Sequence, residues 1–103
     1  MSIFHDETLG PVIGTTRFND TEDAIAMANA TSFALGAVIF GAPPSAKSLA
    51  DKLDAGMIGI NKSVFGVGDI PWVGAKQSGF GYHGSADGYR QFTQARVVSS
   101  PLG

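Results

Sequence analysis

The chain has 103 residues, a formal net charge of −2 and a sequence pI near 5.4, and its seven Lys and Arg residues are scattered. This length allows one domain or a piece of one, and the charge excludes a basic surface for nucleic acid. The absence of cysteine excludes disulfides, thiolate metal ligands and a thiol nucleophile within these residues. No apolar run approaches the ~20 residues of a membrane helix, and the start of the chain lacks a secretory leader pattern, so we expect a cytoplasmic protein without membrane contact.

Strand and helix signals alternate in the first part of the chain. The β-branched run at 12–18 predicts a strand. Asn19 or Asp20 then provides an N-cap for a helix that we expect to end by Ala30. The continuous apolar run at 34–40 has the length of a strand and predicts one that is covered on both faces.

A second helix follows from two prolines and a helical spacing of apolar residues. Pro43 and Pro44 fit the first turn of a helix. The apolar residues that follow at positions i, i+3, i+4 and i+7 are Ala46, Leu49, Ala50 and Leu53. We expect Gly56 to be the C′ residue that ends this helix. Residues 57–60 then predict a third strand, which ends at Asn61.

The segment 59–81 contains six glycines and three aromatic residues, which are Phe65, Trp72 and Phe80. Such a segment is either a functional loop or a surface connection whose aromatics cap a core. After it, Ser85 can cap a short helix with Tyr89 and Phe92 on one face, and 95–99 predicts a last short strand. These elements indicate an α/β fold with helices layered on a partly parallel sheet.

Several motifs in the chain lack the sequence context that the sites they resemble require. Gly79, Gly81 and Gly84 form G-x-G-x-x-G, but no buried strand precedes them and no acidic residue follows at the required distance, so we expect them to turn a loop. We expect Ser78 to hydrogen-bond the local turn and Lys76 to be solvated.

The two histidines are candidates for a metal site, and Glu7 is a candidate for a ribose contact. His5 and His83 are far apart and lack ligand partners at helical spacing, so we expect no metal site. Glu7 lies just before Gly10-Pro11, and its carboxylate can accept two hydroxyls of a ribose.

Five short motifs together carry a resemblance to a known family. They are the E-T-L-G-P-V run from Glu7, the A-N-A-T and F-A-L-G runs between 28 and 36, A-G-M-I-G-I-N ending at Asn61, and P-W-V-G-A-K-Q-S-G-F-G from Pro71. In this order they resemble the C-terminal part of the NAD(P)-dependent aldehyde dehydrogenase superfamily. The resemblance is collinear and extends from about residue 6 to about residue 99. It implies that residues 1–103 are a single C-terminal segment of a catalytic domain of this type.

The resemblance implies roles for five residues. Glu7 matches the residue that holds the nicotinamide ribose of NAD or NADP, and Leu9 stands where the family has an aromatic against the nicotinamide. Val64, Phe65 and Trp72 match the wall of the aldehyde tunnel, with Trp72 in place of the usual Phe. No catalytic residue is assigned to the chain.

Other parts of the pattern concern assembly and subfamily. Gly81-Tyr82-His83 replaces the usual Gly-Arg-Glu, so the sequence does not indicate a subfamily. The segment 95–99 resembles the strand through which family members pair with a neighbouring subunit. The expected partners are therefore an aldehyde in the parent enzyme and a second copy or a complementing chain.

The resemblance also implies what is missing. In the family, a Cys thiolate attacks the aldehyde, hydride passes to the nicotinamide, and a Glu base hydrolyses the thioester. Those residues and the dinucleotide-binding domain lie upstream of the Glu7 motif in family members. We therefore expect a piece of an aldehyde dehydrogenase that is inactive alone. A non-catalytic oligomerisation or interaction module is an alternative, and a free-standing nucleotide-binding protein that relies on Glu7 is a third.

Overall fold

The computed structural model describes residues 2–65 and 68–102. A short 3₁₀ turn at Ser2–Phe4 precedes the main elements. In chain order these are α1 (Thr21–Asn29), β1 (Gly36–Ile39), α2 (Pro43–Ala50), β2 (Met57–Ile60), β3 (Trp72–Val73), β4 (Tyr82–His83) and α3 (Ala86–Arg90). One strand pair is parallel and the other is antiparallel. The predicted fold class, helices on a partly parallel sheet, is confirmed.

Strands β1 and β2 form the parallel pair, with α2 as the connection between them. The register runs from Gly36 opposite Met57 to Ile39 opposite Ile60. Backbone hydrogen bonds continue beyond both ends, from Met57 N to Leu35 O at 3.1 Å and from Asn61 N to Ile39 O at 2.8 Å. The pairing therefore delivers Asn61 to the carboxyl end of the sheet, as the sequence predicts.

Helix α1 begins with the predicted acidic cap. The Asp20 side chain accepts a hydrogen bond from Asp23 N at 2.9 Å, and the carboxylates of Glu22 and Asp23 lie in the first turn. The helix ends at Asn29, within the predicted limit. An ion pair of 2.5 Å joins Glu22 to Lys52, which follows α2, and so ties the start of α1 to the end of α2.

Helix α2 is shorter than predicted. It ends at Ala50 with Asp51 as the C-cap, so Leu53 lies outside it and the assignment of Gly56 as C′ is wrong. A glycine is required at position 56 for packing, because a Cβ atom there would lie 2.2 Å from the carbonyl oxygen of Val73. The glycine allows β3 to approach the start of β2.

Two segments with strand-like sequences form no strand among the described residues. Residues 12–18 and 95–99 are exposed and have no ladder partner in the part of the chain that the structure describes. Their β-branched residues favour an extended backbone, but a strand requires hydrogen bonds to a neighbour, and none lies beside them in this chain. The predicted strands are therefore wrong for the chain by itself, while the proposed pairing of 95–99 with another subunit stays a prediction.

The sheet is also less covered than predicted. Along β1 exposed and half-buried residues alternate, so the strand is not enclosed on both faces. Among the described residues, the buried hydrophobic residues are Ala34, Ala46 and Met57. Helix α2 contacts both strands, yet four of the seven residues in the apolar run at 34–40 are exposed.

The whole chain is extended for its size. Its accessible surface is 8402 Å² and its radius of gyration is 18.5 Å. A folded monomer of 10.7 kDa is expected to expose about 5,500 Å². A domain of this length has an expected radius of about 13 Å. The chain therefore exposes about 2,900 Å² more surface than a compact domain would.

Strand β3 lies within the segment 59–81, and β4 follows that segment, just before the last helix. Trp72 lies opposite His83, and Val73 lies opposite Tyr82. Gly79, Gly81 and Gly84 have φ values of 117°, 80° and 84°, so these glycines turn the backbone around β4, as predicted. Residues 66 and 67 of the segment lie outside the described residues.

Helix α3 has the predicted cap but a different extent. The Ser85 hydroxyl accepts a hydrogen bond from Gly88 N at 3.1 Å. The helix ends at Arg90, so Phe92 lies beyond it and the predicted helical face of Tyr89 and Phe92 does not form. Both side chains are exposed.

Candidate functional site

Glu7 lines a hollow of about 360 Å³ whose wall is mostly apolar. The other polar side chains that line this hollow belong to Asn29, Thr31, Asp54 and Ser78. Glu7 is exposed, and within residues 2–65 and 68–102 its carboxylate takes part in no ion pair. Its two oxygens are therefore available as acceptors, which is what a ribose diol requires.

Leu9 does not lie with Glu7 in this hollow. Its side chain is 92% exposed and lies outside the lining of the hollow. The cofactor roles of Glu7 and Leu9 therefore stay predictions, with the Glu7 carboxylate at the hollow and the Leu9 side chain in solvent. The residues present fit one contact of a dinucleotide rather than a whole binding site.

Val64 and Phe65 share a second hollow of about 490 Å³ with Ile58 and Ile70. Val64 is half-buried and faces the start of β1, because a Cβ atom on Gly36 would lie 3.6 Å from its Cγ2. Phe65 is 70% exposed. These two predicted tunnel residues are therefore brought together on one apolar wall.

Trp72 lies in a different hollow, of about 390 Å³, together with Ser78, Tyr82, His83 and Gln91. Its indole is half-buried and stacks on His83, with ring centroids 6.4 Å apart and an angle of 19° between the planes. Within this chain, the predicted group of Val64, Phe65 and Trp72 is thus split between two surfaces.

The side chain of Lys76 holds three segments of the chain together. Its Nζ donates to Asn29 O at 3.1 Å and to Thr31 O at 3.3 Å, and it lies 3.4 Å from Asp54 Oδ2. Lys76 is exposed, as predicted, but its ammonium group also has partners that the sequence does not predict. The partners are 22 to 47 residues away, and no local pattern in the sequence indicates them.

Ser78 has a partner outside its own turn. Its Oγ accepts a hydrogen bond of 2.9 Å from Ala34 N, just before β1. Its own N–H bonds the local turn, as predicted, and donates to Ala75 O at 3.1 Å. Together, Ser78 and Lys76 dock the segment after β3 against the end of α1, the loop after α2 and the residues before β1.

Metal and membrane chemistry receive no support in the described part of the chain. No group of three or more His, Cys, Asp or Glu side chains there could hold a metal ion. Among the same residues, no helix has the length and apolar character needed to cross a bilayer. The cytoplasmic location stays a prediction.

The sequence matches the model of the aldehyde dehydrogenase family over residues 1–98. This chain belongs to the aldehyde dehydrogenase family. It is similar to the NADP(+) succinate-semialdehyde dehydrogenase of Deinococcus radiodurans, with 37% identity over 95% of this chain and 21% of the relative. It is also similar to betaine aldehyde dehydrogenase 1 of Rhizobium meliloti, with 38% identity over 100% of this chain and 21% of the relative.

Solved structures of aldehyde dehydrogenases have the same fold in the matching region. A succinic semialdehyde dehydrogenase of Streptococcus pyogenes in complex with NADP+ superposes with a TM-score of 0.87 and 31% identity, over 96% of this chain and 22% of that one. A betaine aldehyde dehydrogenase of Staphylococcus aureus in complex with NAD+ gives a TM-score of 0.85 and 31% identity, over 89% and 18%. The chain therefore spans about a fifth of the length of these relatives.

Proposed function

We propose that this chain is the C-terminal part of the catalytic unit of an NAD(P)-dependent aldehyde dehydrogenase, which oxidises an aldehyde to a carboxylic acid, and that it does not turn over alone. The observation that carries this proposal is the family match over residues 1–98 in a chain that contains no cysteine. Aldehyde oxidation in the family, as the sequence resemblance implies, begins with attack by a Cys thiolate. A chain without that nucleophile needs the remainder of the enzyme.

The exposed apolar surface supports the same proposal. Eighteen large hydrophobic residues are exposed among those described, including Ile13, Phe40 and Val97. Obligate interfaces bury roughly 2,000–5,000 Å² summed over both partners, so an excess of about 2,900 Å² on one chain is as large as one side of a large obligate interface. Large contiguous apolar patches rarely face water in monomeric proteins. A surrounding body of protein would cover them.

The contribution of Glu7 in this account is to hold the cofactor. The nicotinamide cofactor, when bound, supplies the hydride acceptor for the reaction. The Glu7 carboxylate would accept the hydroxyls of its ribose and so fix the position of the attached ring. Leu9 supplies no aromatic surface, so other parts of the complete enzyme would have to position the face of that ring.

Val64, Phe65 and Trp72 would contribute to the aldehyde site. The hollow of Val64 and Phe65 is apolar on most of its surface and suits the alkyl or aryl part of an aldehyde. Such walls select among substrates by size and shape rather than by hydrogen bonds. Trp72→Ala should therefore change kcat/KM unequally among aldehydes while leaving the KM for the cofactor unchanged.

A chimera tests this proposal. In the chimera, this chain replaces the matching fifth of the Deinococcus radiodurans relative, which supplies the remaining residues of a family member. We expect NADP+-dependent aldehyde oxidation by the chimera. Glu7→Gln should raise the KM for NADP+ by about 10-fold or more, because the substitution removes a hydrogen bond between a charged group and its partner. Asp6→Asn, the same change one residue earlier, should leave this KM unaltered.

Two results would contradict the proposal. One is a folded chimera with no aldehyde oxidation. The other is an active chimera in which Glu7→Gln and Asp6→Asn behave alike, which would remove the cofactor role of Glu7 while leaving the family assignment intact.

A non-catalytic assembly module is the second candidate. The observation that favours it is the exposure of Val97 and Val98, at 92% and 79%, in a segment with no ladder partner in this chain. Sedimentation of the 103-residue protein distinguishes the two candidates. A monodisperse oligomer, combined with an inactive chimera, would support the module.

A further inference from the structure

We infer that His83 is the positioning residue for Trp72: its imidazole fixes the orientation of the indole, and the pair acts as one selectivity element for the aldehyde. The orientation of the indole by His83 is the geometric half of the inference and does not depend on the function. The role of the pair in aldehyde choice is the selectivity half and rests on the proposed function. Separate experiments test the two halves.

The two rings face each other because of the strand register. Trp72 and His83 are directly opposite in the antiparallel β3–β4 pair, so their side chains leave the same face of the sheet. The centroid distance of 6.4 Å and the interplanar angle of 19° place them in a stacked arrangement. Tyr82 and Val73 precede and follow these residues in the strands and therefore point to the other face.

The backbone of His83 is held from the side of α3. A Cβ atom on Gly88 would lie 2.7 Å from His83 Cα and 3.0 Å from its carbonyl carbon, so the helix packs directly on this strand. Any larger residue at Gly88 would push β4 away. His83 is thus anchored by packing that does not involve Trp72.

Gln91 adds a second anchor at the preceding residue. Its Oε1 accepts a hydrogen bond from Tyr82 N at 3.3 Å, and its Nε2 donates to Tyr82 O. The side-chain amide therefore replaces a peptide group of a neighbouring strand along the outer edge of β4. Strand β4 is held by Gly88 and Gln91 on one side and carries His83 against Trp72 on the other. The position of α3 therefore fixes β4 and, through His83, the position of the indole.

No other aromatic ring does the same for Trp72 among the described residues. Phe80 lines the same hollow but is 99% exposed, and Phe92 is 85% exposed. Among the described residues, Trp72 and His83 form the one pair of stacked aromatic rings. Removing the imidazole would leave the indole free to take other rotamers.

A spectroscopic experiment tests the geometric half. Trp72 is the only tryptophan in the sequence, so the long-wavelength tryptophan band of the near-UV circular dichroism, and fluorescence excited where tyrosine does not absorb, report this ring in the 103-residue protein. His83→Ala should reduce the tryptophan dichroism band and raise the acrylamide quenching constant by about 2-fold or more, since aromatic pairs change populations by roughly 2- to 12-fold. His83→Phe, which keeps a flat ring, should restore both signals. His5→Ala, the same change at the other, exposed histidine, should alter neither.

Two outcomes would overturn the geometric half. The first is a His83→Ala protein whose dichroism and quenching equal those of the unmodified protein. The second is an unmodified protein with no tryptophan dichroism band, since the ring would then be unconstrained. Far-UV dichroism of each variant shows whether the helices persist.

A kinetic experiment in the chimera tests the selectivity half. His83→Ala should shift the ratio of kcat/KM for benzaldehyde to that for propionaldehyde by about 2- to 12-fold, with the KM for NADP+ unchanged, and His83→Phe should restore the ratio. An unchanged ratio in an active chimera would overturn the selectivity role. An inactive chimera would instead count against the proposed function, while the spectroscopic result would still decide whether His83 positions Trp72.

Discussion

Asn61 and Gly41 exchange two hydrogen bonds at the carboxyl ends of the parallel strands. Asn61 Oδ1 accepts from Gly41 N at 2.9 Å, and Asn61 Nδ2 donates to Gly41 O at 2.9 Å. Asn61 adopts a φ of 54°, a left-handed conformation that asparagine tolerates better than most residues. Its side chain thus continues the ladder of β1 and β2 and sets the direction in which the chain leaves toward Val64 and Phe65.

Asn61→Ala should loosen this end of the sheet. The loss of two hydrogen bonds, together with a left-handed alanine, should lower local stability by about 1–3 kcal/mol. Hydrogen exchange of the chimera, measured on peptides that cover β1 and β2, checks this. Asn19→Ala is the matched control, because Asn19 is exposed and lies outside both helix and strand. Equal exchange in the two variants would mean that the Asn61–Gly41 bonds contribute nothing.

Gly56→Ala should separate β2 from β3. The added Cβ would lie 2.2 Å from Val73 O, and the carbonyl belongs to backbone that cannot rotate away. We expect a loss of about 1–3 kcal/mol, the usual cost of overpacking. The thermal unfolding midpoint of the chimera measures it. Gly41→Ala, where nothing lies within 4 Å of the added atom, should leave the midpoint within a degree or two of the original. A neutral Gly56→Ala would contradict the close approach of the two strands.

Ser78→Ala should leave a buried donor without an acceptor. Ala34 is 6% exposed, and its N–H donates to Ser78 Oγ at 2.9 Å. An unsatisfied buried amide costs about 1–3 kcal/mol, so exchange at the start of β1 should accelerate. Ser63→Ala, at an exposed position in the preceding loop, serves as the control. If both variants exchange alike, water replaces the hydroxyl without loss.

Lys76→Met should destabilise the contact among α1, the end of α2 and the loop. Hydrogen bonds from a charged donor contribute about 1.5–3 kcal/mol, although the ion pair to the exposed Asp54 adds little. Because the bonds to Asn29 O and Thr31 O are short-range, the loss should persist at 1 M salt. Lys47→Met, on the exposed side of α2, should be neutral. Thermal unfolding at low and high salt separates these cases, and a loss that vanishes with salt would assign the effect to Asp54.

Local signals in the sequence predicted much of the fold. The caps at Asp20 and Ser85, the two prolines of α2 and the run at 57–60 each depend on residues within a few positions, and each forms as predicted. The strand at 12–18 is predicted from its β-branched residues, and the strand at 95–99 from its residues and from the resemblance to the strand that pairs with a neighbouring subunit. A strand depends on a partner as much as on its own residues, and among the described residues these two have none.

The candidate site was predictable only in part. Glu7 lines one hollow, and the sequence neighbours Val64 and Phe65 line another, while their roles toward a cofactor and an aldehyde stay predictions. The separation of Trp72 from them, and the roles of Lys76 and Gly56, arise from contacts between distant parts of the chain. No periodicity or motif records such contacts, because they depend on how the β3–β4 pair docks on the rest of the fold.

The most direct test of the central claim is NAD(P)H formation by the purified 103-residue protein, followed at 340 nm with an aldehyde and either cofactor. Because the chain has no cysteine, we expect no turnover above the buffer rate. The chimera that contains the same residues should turn over. Sustained aldehyde oxidation by the 103-residue protein alone would contradict the claim that these residues act only as part of a larger enzyme.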